Sequence, residues 1–261
     1  MADWTVFFVS DHTGVTAEAM GRSLLSQFSG LHYKTLTVPF VSPGNLPDLL
    51  NRIASSSPAL VFSTLTDPVL REKLKASGAP VFDPFSAFSV PLAQSLEQTP
   101  VSITGLTHGI NQGYEDRMEA VNFALAFDDG LNPERLAEAD LIISGVSRAG
   151  KTPTALYIAL QYGKKVANYP LTPDDLEADS LPQQLLANLP RLRGLTLSPE
   201  RLAQIREARL PSSRYASLEN CRRELAAAER LFRKHGVPQI DSTHRSVEEI
   251  AARIVHELRN L

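Results

Sequence analysis

Apolar and polar positions alternate along this chain in two rhythms, short β-rich runs and longer stretches of helical period. Trp4–Ser10, Thr35–Val41, Ala59–Leu65 and Ala79–Asp83 read as strands, with Pro39 predicting an edge or a bend in the second. Between and after them, helices are predicted over Gly14–Phe28, Leu46–Ser55, Pro68–Ser77 and Phe85–Gln98. The first carries an apolar stripe of Ala17, Met20, Leu24 and Phe28, and the last is broken by Pro91. A Gly-, Thr- and Asn-rich stretch at 99–113 leads into a helix over Tyr114–Ala126, with Met118, Val121 and Leu125 on one face. A second unit begins near Pro133, with strands at Leu141–Ser144, Lys165–Tyr169 and Pro238–Ser242. Its helices are predicted at Thr152–Tyr162, Pro199–Ala208, Ser217–Lys234 and Val247–Leu258. Strands alternating with helices imply mostly parallel sheets covered on both faces, an α/β fold. The expected division is an N-terminal α/β domain over 1–105, a connector with a helix over 106–134, and a C-terminal nucleotide-binding domain over 135–261.

Composition narrows the class. The 261 residues are 43% hydrophobic and 21% charged, as in a globular protein with a sizeable core. A formal net charge of −3 argues against a nucleic-acid partner. The lone Cys221 excludes an intrachain disulfide and any cysteine-based zinc cage. The N-terminus lacks a basic, apolar leader pattern, and no run of about 18 apolar residues occurs, so the cytoplasm is the expected compartment and no membrane association is expected.

The most specific local signal is Gly145-Val146-Ser147-Arg148-Ala149-Gly150-Lys151-Thr152, a complete G-x-x-x-x-G-K-[ST] phosphate loop. At ordinary residue frequencies its fixed positions arise by chance in roughly one chain of this length in a hundred. Here the motif also sits between a predicted strand and a predicted helix, which is the context it needs. The glycines allow a tight turn with close backbone approach to an oxygen, and successive N–H groups and the following helix favour an anion. Lys151 can reach between phosphoryl groups, the Thr152 hydroxyl is the expected magnesium ligand, and Arg148 can bridge phosphate oxygens. Other candidates are Asp11 in the Asp11-His12-Thr13-Gly14 turn after the first strand, His108 in the connector, and Asp128 and Asp129 in a turn. Any of these carboxylates could complete the magnesium site or accept a proton, and His108 could act as base or polarise a phosphate. The equally available structural readings are a helix cap for Asp11, a packed histidine and a simple turn. Ile240-Asp241 is a weaker magnesium candidate. Arg191, Arg193, Arg201, Arg206, Arg209 and Arg214 follow the loop unit; solvated helix charges are the expected reading, with Arg214 evenly balanced against a lid over the donor.

From these residues outward the chain resembles the bacterial phosphoenolpyruvate synthase regulatory proteins and their relatives that regulate pyruvate, phosphate dikinase. The matching segments are Gly145–Tyr157, Ser10–Glu18, Thr107–Asn111, Phe127–Gly130, Val166–Leu171, Gly194–Arg206, Ser213–Leu218 and Ser242–Ala251. The resemblance implies a bifunctional enzyme with a P-loop kinase-like C-terminal domain. Such an enzyme phosphorylates a threonine of its target with ADP as donor, which inactivates the target. It also removes that phosphate with inorganic phosphate, releasing pyrophosphate. Phosphoenolpyruvate synthase is then the implied partner, with Gly150-Lys151 and Ser213–Ala216 favouring it over the dikinase. A homodimer is implied by the resemblance only. His12 departs from the small residue expected at that place and is given no catalytic role. An ATP-dependent small-molecule kinase of the P-loop class is the competing reading, and a non-catalytic nucleotide sensor is a third.

Overall fold

In the computed structural model, residues 3–100, 112–178 and 180–258 are described. The chain divides into two compact units, Met1–Gly109 and Ile110–Leu261. The first unit is built of β1 (Trp4–Val9), α1 (Val15–Leu25), β2 (Tyr33–Val38), α2 (Leu46–Ala54), β3 (Ala59–Ser63), α3 (Pro68–Lys75), β4 (Val81–Phe82) and α4 (Pro84–Leu96). Its four strands are all parallel, in the order β2-β1-β3-β4. One face of β1 (Phe7, Val9) packs with Leu46, Leu49 and Ile53 of α2, and the other (Val6, Phe8) packs with α1. The near-continuous apolar run of β1 follows from that burial on both faces. As Pro39 predicts, β2 is an edge strand, and it ends one residue before that proline.

Two helix expectations need correction. The buried stripe of α1 is Ala17, Gly21 and Leu25, whereas Leu24 and Phe28 are exposed. Gly21 decides the register, because a Cβ there would fall 2.5 Å from a Phe8 ring carbon and only a glycine lets the helix approach the sheet so closely. Pro91 does not break its helix: α4 runs through it, started by Asp83, whose carboxylate accepts from Ser86 N and also pairs with Arg71 at 3.0 Å.

The second unit contains α5 (Gln112–Ala126), β5 (Leu141–Gly145), α6 (Lys151–Tyr162), β6 (Val166–Pro170), α7 (Pro173–Glu177), α8 (Gln183–Leu186), β7 (Leu192–Thr196), α9 (Pro199–Arg209), α10 (Leu218–Lys234), β8 (Gln239–Asp241) and α11 (Val247–Leu258). Its sheet is again wholly parallel, in the order β6-β5-β7-β8. Helix α5 lies against α6 through the small side chains Ala120, Ala124 and Ala159, so Leu125, expected on the packed face, is exposed instead. Strand β7 is absent from the pattern reading, since Arg193 and Gly194 interrupt its apolar run. The structure buries Arg193 beside Glu257 and sets Gly194 under the Phe232 ring.

Two stretches of identical logic result. In each unit the first strand lies inside the sheet, its successor is added on one side and the next strand on the other. The point where strand order reverses, at the carboxyl ends of the strands, is where open α/β sheets bind ligands. In the second unit, the segment delivered to that point is the phosphate-loop motif.

Gly194→Ala tests the central packing of the second unit. The added Cβ would sit 2.7 Å from two ring carbons of the fully buried Phe232. We expect a loss of about 1–3 kcal/mol, read as a lowered urea midpoint with the far-ultraviolet spectrum retained.

Candidate functional site: a phosphate loop with a buried lysine

Strand β5 is buried throughout and ends at Gly145. A Cβ at Gly145, whose φ is +155°, would lie 2.5 Å from the Leu195 carbonyl oxygen of the neighbouring strand, so only glycine fits. Five residues then lead to α6, whose first turn starts from Gly150 in the left-handed region at φ +94°. Arg148 also holds a left-handed conformation, φ +73°, which is uncommon for a residue with a side chain and marks a loop shape imposed by its surroundings.

Those surroundings are a set of donors to the loop's carbonyls. Gly145 O accepts from Leu171 N, and Gly150 O from Thr154 N and Thr154 Oγ1. Val146 O accepts from Lys151 Nζ at 2.9 Å, and Ser147 O from Arg206 Nη2 at 3.0 Å. Ser242 Oγ lies 3.2 Å from Ala149 O. With the carbonyls engaged, the N–H groups of Ser147, Arg148, Gly150, Lys151 and Thr152 have no acceptor among the described residues. An arrangement of unpaired backbone amides at the start of a twelve-residue helix favours an anion. A cavity of about 410 Å³ opens over it, lined by Asp129, Arg148, Lys151 and Thr152 among others.

Lys151 is 5% exposed. Burial lowers its pKa to about 8, against the opposing pull of the Asp129 and Asp128 carboxylates, with Arg206 and Arg148 adding to the lowering. An ammonium held with so little water gains strongly from an arriving polyanion.

Thr152 belongs to a compact triangle. Its hydroxyl donates to Asp128 Oδ1 at 2.9 Å, and Asn168 Nδ2 donates both to Asp128 Oδ1 and, at 3.0 Å, to Thr152 Oγ1. The carboxylate fixes the Asn168 amide, because the reversed amide would set oxygen against oxygen. Asn168 Oδ1 is then buried without a partner. The backbone of Asn168 also donates to Phe127 O, tying the 128–130 turn to β6. Asp129, at φ +50°, is turned out of this triangle and lines the cavity.

A model of the kinase/pyrophosphorylase family matches residues 6–255. The chain belongs to that family. A protein of Thiobacillus denitrificans named "putative phosphoenolpyruvate synthase regulatory protein" is 56% identical over 255 residues, 97% of this chain and 99% of its own length. Proteins of the same name from Laribacter hongkongensis and Aromatoleum aromaticum are 49% and 46% identical, each over at least 95% of both chains.

Within this family member, the sequence-derived residues fall in four places. Gly145 to Thr152 form one loop, with Asp129 on the rim of the same cavity. Asp11 lies in the first unit, where its Oδ2 accepts from Thr66 N at 2.7 Å and Thr66 Oγ1 at 2.6 Å. It therefore ties the loops that follow β1 and β3 and does not cap α1, whose cap position is Gly14. His108 lies outside the described residues. Asp241 is turned to its own chain, accepting from Thr243 N.

Asn168 and Arg206 were missed as site residues by pattern reading. Asn168 stands within Val166–Leu171, one of the segments that carry the family resemblance, yet an amide in a strand gives no chemical signal by itself. Arg206, expected to be solvated, has a side chain with no exposure and is paired with Glu224 at 2.7 Å. Arg193 is likewise buried, and Arg191 donates to Ala137 O and Ala139 O.

Asn168→Asp probes the triangle. It replaces the amide donor with a second carboxylate against Asp128. We expect a loss of about 1–3 kcal/mol at neutral pH. A carboxyl beside a like charge has a raised pKa, so its protonated form is favoured in the folded state. The deficit should therefore shrink as pH falls below about 5, where one carboxyl becomes a donor. A deficit independent of pH in urea titrations would contradict this arrangement.

Proposed function

We propose that this protein is a bifunctional regulator of phosphoenolpyruvate synthase. In one direction it transfers the terminal phosphoryl group of ADP to a threonine hydroxyl of the synthase, leaving AMP and an inactive synthase. In the other, inorganic phosphate attacks the phosphothreonine, forming pyrophosphate and restoring the hydroxyl. The observation that carries the reading is the loop Gly145–Thr152, with most of its carbonyls tied back, the amides of Ser147, Arg148, Gly150, Lys151 and Thr152 unpaired among the described residues, and Lys151 buried at the cavity. Membership of the kinase/pyrophosphorylase family and the names of the relatives support the reaction classes and the target.

Both reactions move a phosphoryl group between a threonine oxygen and a phosphate anion, so one anion cradle serves both. Lys151, Arg148 and the loop amides neutralise the charge spread over the transferring group. Asp129 serves as the acceptor-side carboxylate, a role supported by its position in the cavity lining. The Thr152 hydroxyl and the Asp128 and Asp129 carboxylates are hard oxygen donors of the kind magnesium takes beside phosphates. Bound there, magnesium would supply further neutralisation of the phosphate oxygens. Asp128 and Asn168 orient the Thr152 hydroxyl within the first turn of α6.

The decisive experiment incubates the protein with phosphoenolpyruvate synthase and ADP, maps phosphothreonine and detects AMP. It then adds phosphate to the modified synthase and measures pyrophosphate. Phosphorylation of a metabolite with ATP, with the synthase untouched, would replace this reading by that of a small-molecule kinase. Modification of pyruvate, phosphate dikinase alone would move the target. Lys151→Ala should abolish both directions, by about a hundredfold or more if charge stabilisation dominates. Retention of the phosphate-dependent direction in that variant would require a second site.

Lys151 also predicts a pH dependence. ADP binding requires the ammonium, which the free protein loses as pH rises through about 8. The bound anion raises the pKa, so affinity should weaken by about tenfold per pH unit above that point. Lys151→Arg, charged throughout, should flatten the profile. Calorimetric ADP affinities at pH 7, 8 and 9 decide it, and a flat wild-type profile would exclude the depressed lysine as the titrating group.

A further inference from the structure

Arg206 is the largest wholly buried side chain among the described residues, yet it lies on α9, outside the phosphate-loop motif. Its guanidinium is divided among four residues, of which Cys221 Sγ, 3.9 Å from Nη1, is the weakest partner. Nη2 donates to Ser147 O at 3.0 Å and to Glu224 Oε2 at 2.7 Å, and Nε reaches the same Ser147 carbonyl at 3.4 Å. Nη1 donates to Tyr215 O at 3.1 Å, and the Tyr215 ring lies over the guanidinium carbon, 4.1 Å from it. Tyr215 closes the circuit, since its hydroxyl is 2.8 Å from Ser147 Oγ. Ser147 is thus held twice, through its backbone by Arg206 and through its side chain by Tyr215. Glu224 is itself fixed by Asn220 Nδ2 at 2.7 Å.

We propose that Arg206, with Tyr215 and Glu224, is a clamp that presets the curvature of the phosphate loop. Arg206 is a positioning residue: it acts on the anion through Ser147 and Arg148 and does not touch it. The inference rests on the phosphate-binding reading of Gly145–Thr152. Its physical basis is the left-handed Arg148. That conformation opposes the preference of a residue with a side chain, and it persists only where the neighbouring peptide is held from outside. The Ser147–Arg148 peptide is the one whose carbonyl Arg206 takes. Fixing that carbonyl outward turns the Arg148 N–H inward. Glu224 neutralises the guanidinium, so the clamp works by directed hydrogen bonds rather than by adding positive charge to the site. A loop shaped before the anion arrives does not subtract an ordering cost from its affinity.

Arg206→Ala would strand the Glu224 carboxylate and endanger the fold, so the test uses Arg206→Lys and Tyr215→Phe. Lysine keeps the charge opposite Glu224 but lacks the planar fork. Phenylalanine keeps the ring over the guanidinium and removes only the bond to Ser147 Oγ. The full-length protein is followed by hydrogen exchange, without nucleotide, of the Ala149 amide, the loop amide that is itself hydrogen-bonded, to Val146 O, and by ADP affinity. In Arg206→Lys, exchange of the loop should speed by about tenfold and the ADP dissociation constant should rise by about tenfold, with β7 exchange and the melting temperature nearly unchanged. Tyr215→Phe should show the same pattern at about threefold. If Arg206→Lys fails to fold, the neutral pair Arg206→Met with Glu224→Gln takes its place with the same expectation.

Unchanged loop exchange in the folded variants overturns the clamp. Faster exchange with unaltered ADP affinity overturns its positioning role and leaves an ordinary packing contact. Should the wild type bind no ADP while the variants still loosen the loop, the clamp stands as a shaping device and the nucleotide reading falls. Normal wild-type binding with variants indistinguishable from it defeats the clamp alone.

Discussion

A peptide group cannot point its carbonyl and its N–H to the same side, and the candidate site is organised by that constraint. Between Gly145 and Gly150 the carbonyls at 145, 146, 147 and 150 accept from Leu171, Lys151, Arg206 and Thr154, and the Ser242 hydroxyl is shared between the carbonyls of Ala149 and Thr196. These donors come from four different parts of the second unit, so the loop is shaped by the whole parallel sheet and its covering helices. The amides left facing the cavity are a consequence. Gly145 is the point where the constraint is tightest, because the Leu195 carbonyl occupies the volume any side chain would need.

Charge is arranged around the same loop with little excess. The buried Lys151 ammonium is offset by Asp128 and Asp129, and Arg206 by Glu224. A site so balanced remains foldable without an anion, while the depressed lysine pKa records that the cationic form is held at a cost. Under the proposed function an incoming phosphate relieves that cost, which ties affinity to burial. Asn168 contributes differently: its amide keeps the Thr152 hydroxyl and the Asp128 carboxylate in one triangle, on a strand that is itself fastened to the 128–130 turn.

The two units share a strand order and a loop length, yet differ in chemistry. The segment between β1 and α1 spans residues 10–14 and ends in left-handed Gly14, as the segment between β5 and α6 spans 146–150 and ends in left-handed Gly150. The helices then begin Val15-Thr16 and Lys151-Thr152. The length of the turn and its closing left-handed glycine therefore recur without the ammonium, whereas the left-handed Arg148 has no counterpart at His12. In the first unit Asp11 turns to Thr66 and binds the loops to each other, a use consistent with a scaffold. Topology supplies the turn, and the side chains decide whether it can hold a polyphosphate.

Much of this was legible from the chain alone. The β1 run, the Pro39 edge, the helix over α10 and the loop motif rest on local rules of period, backbone freedom and spacing, which need no knowledge of distant residues. The same rules failed where a distant neighbour set the outcome. Gly21 shifted the buried stripe of α1 because Phe8 and Phe62 lie beneath it, and Gly194 became part of a strand because Phe232 covers it. Arg206 read as one more exposed charge in an arginine-rich stretch until Glu224, 18 residues on, and Ser147, 59 residues back, were brought to it. Residue identity thus determined that a glycine-bounded turn with Lys151-Thr152 at the head of a helix would follow β5. Only the tertiary structure decided which side chains shape it, since a hydrogen bond between remote residues leaves no periodic trace in sequence.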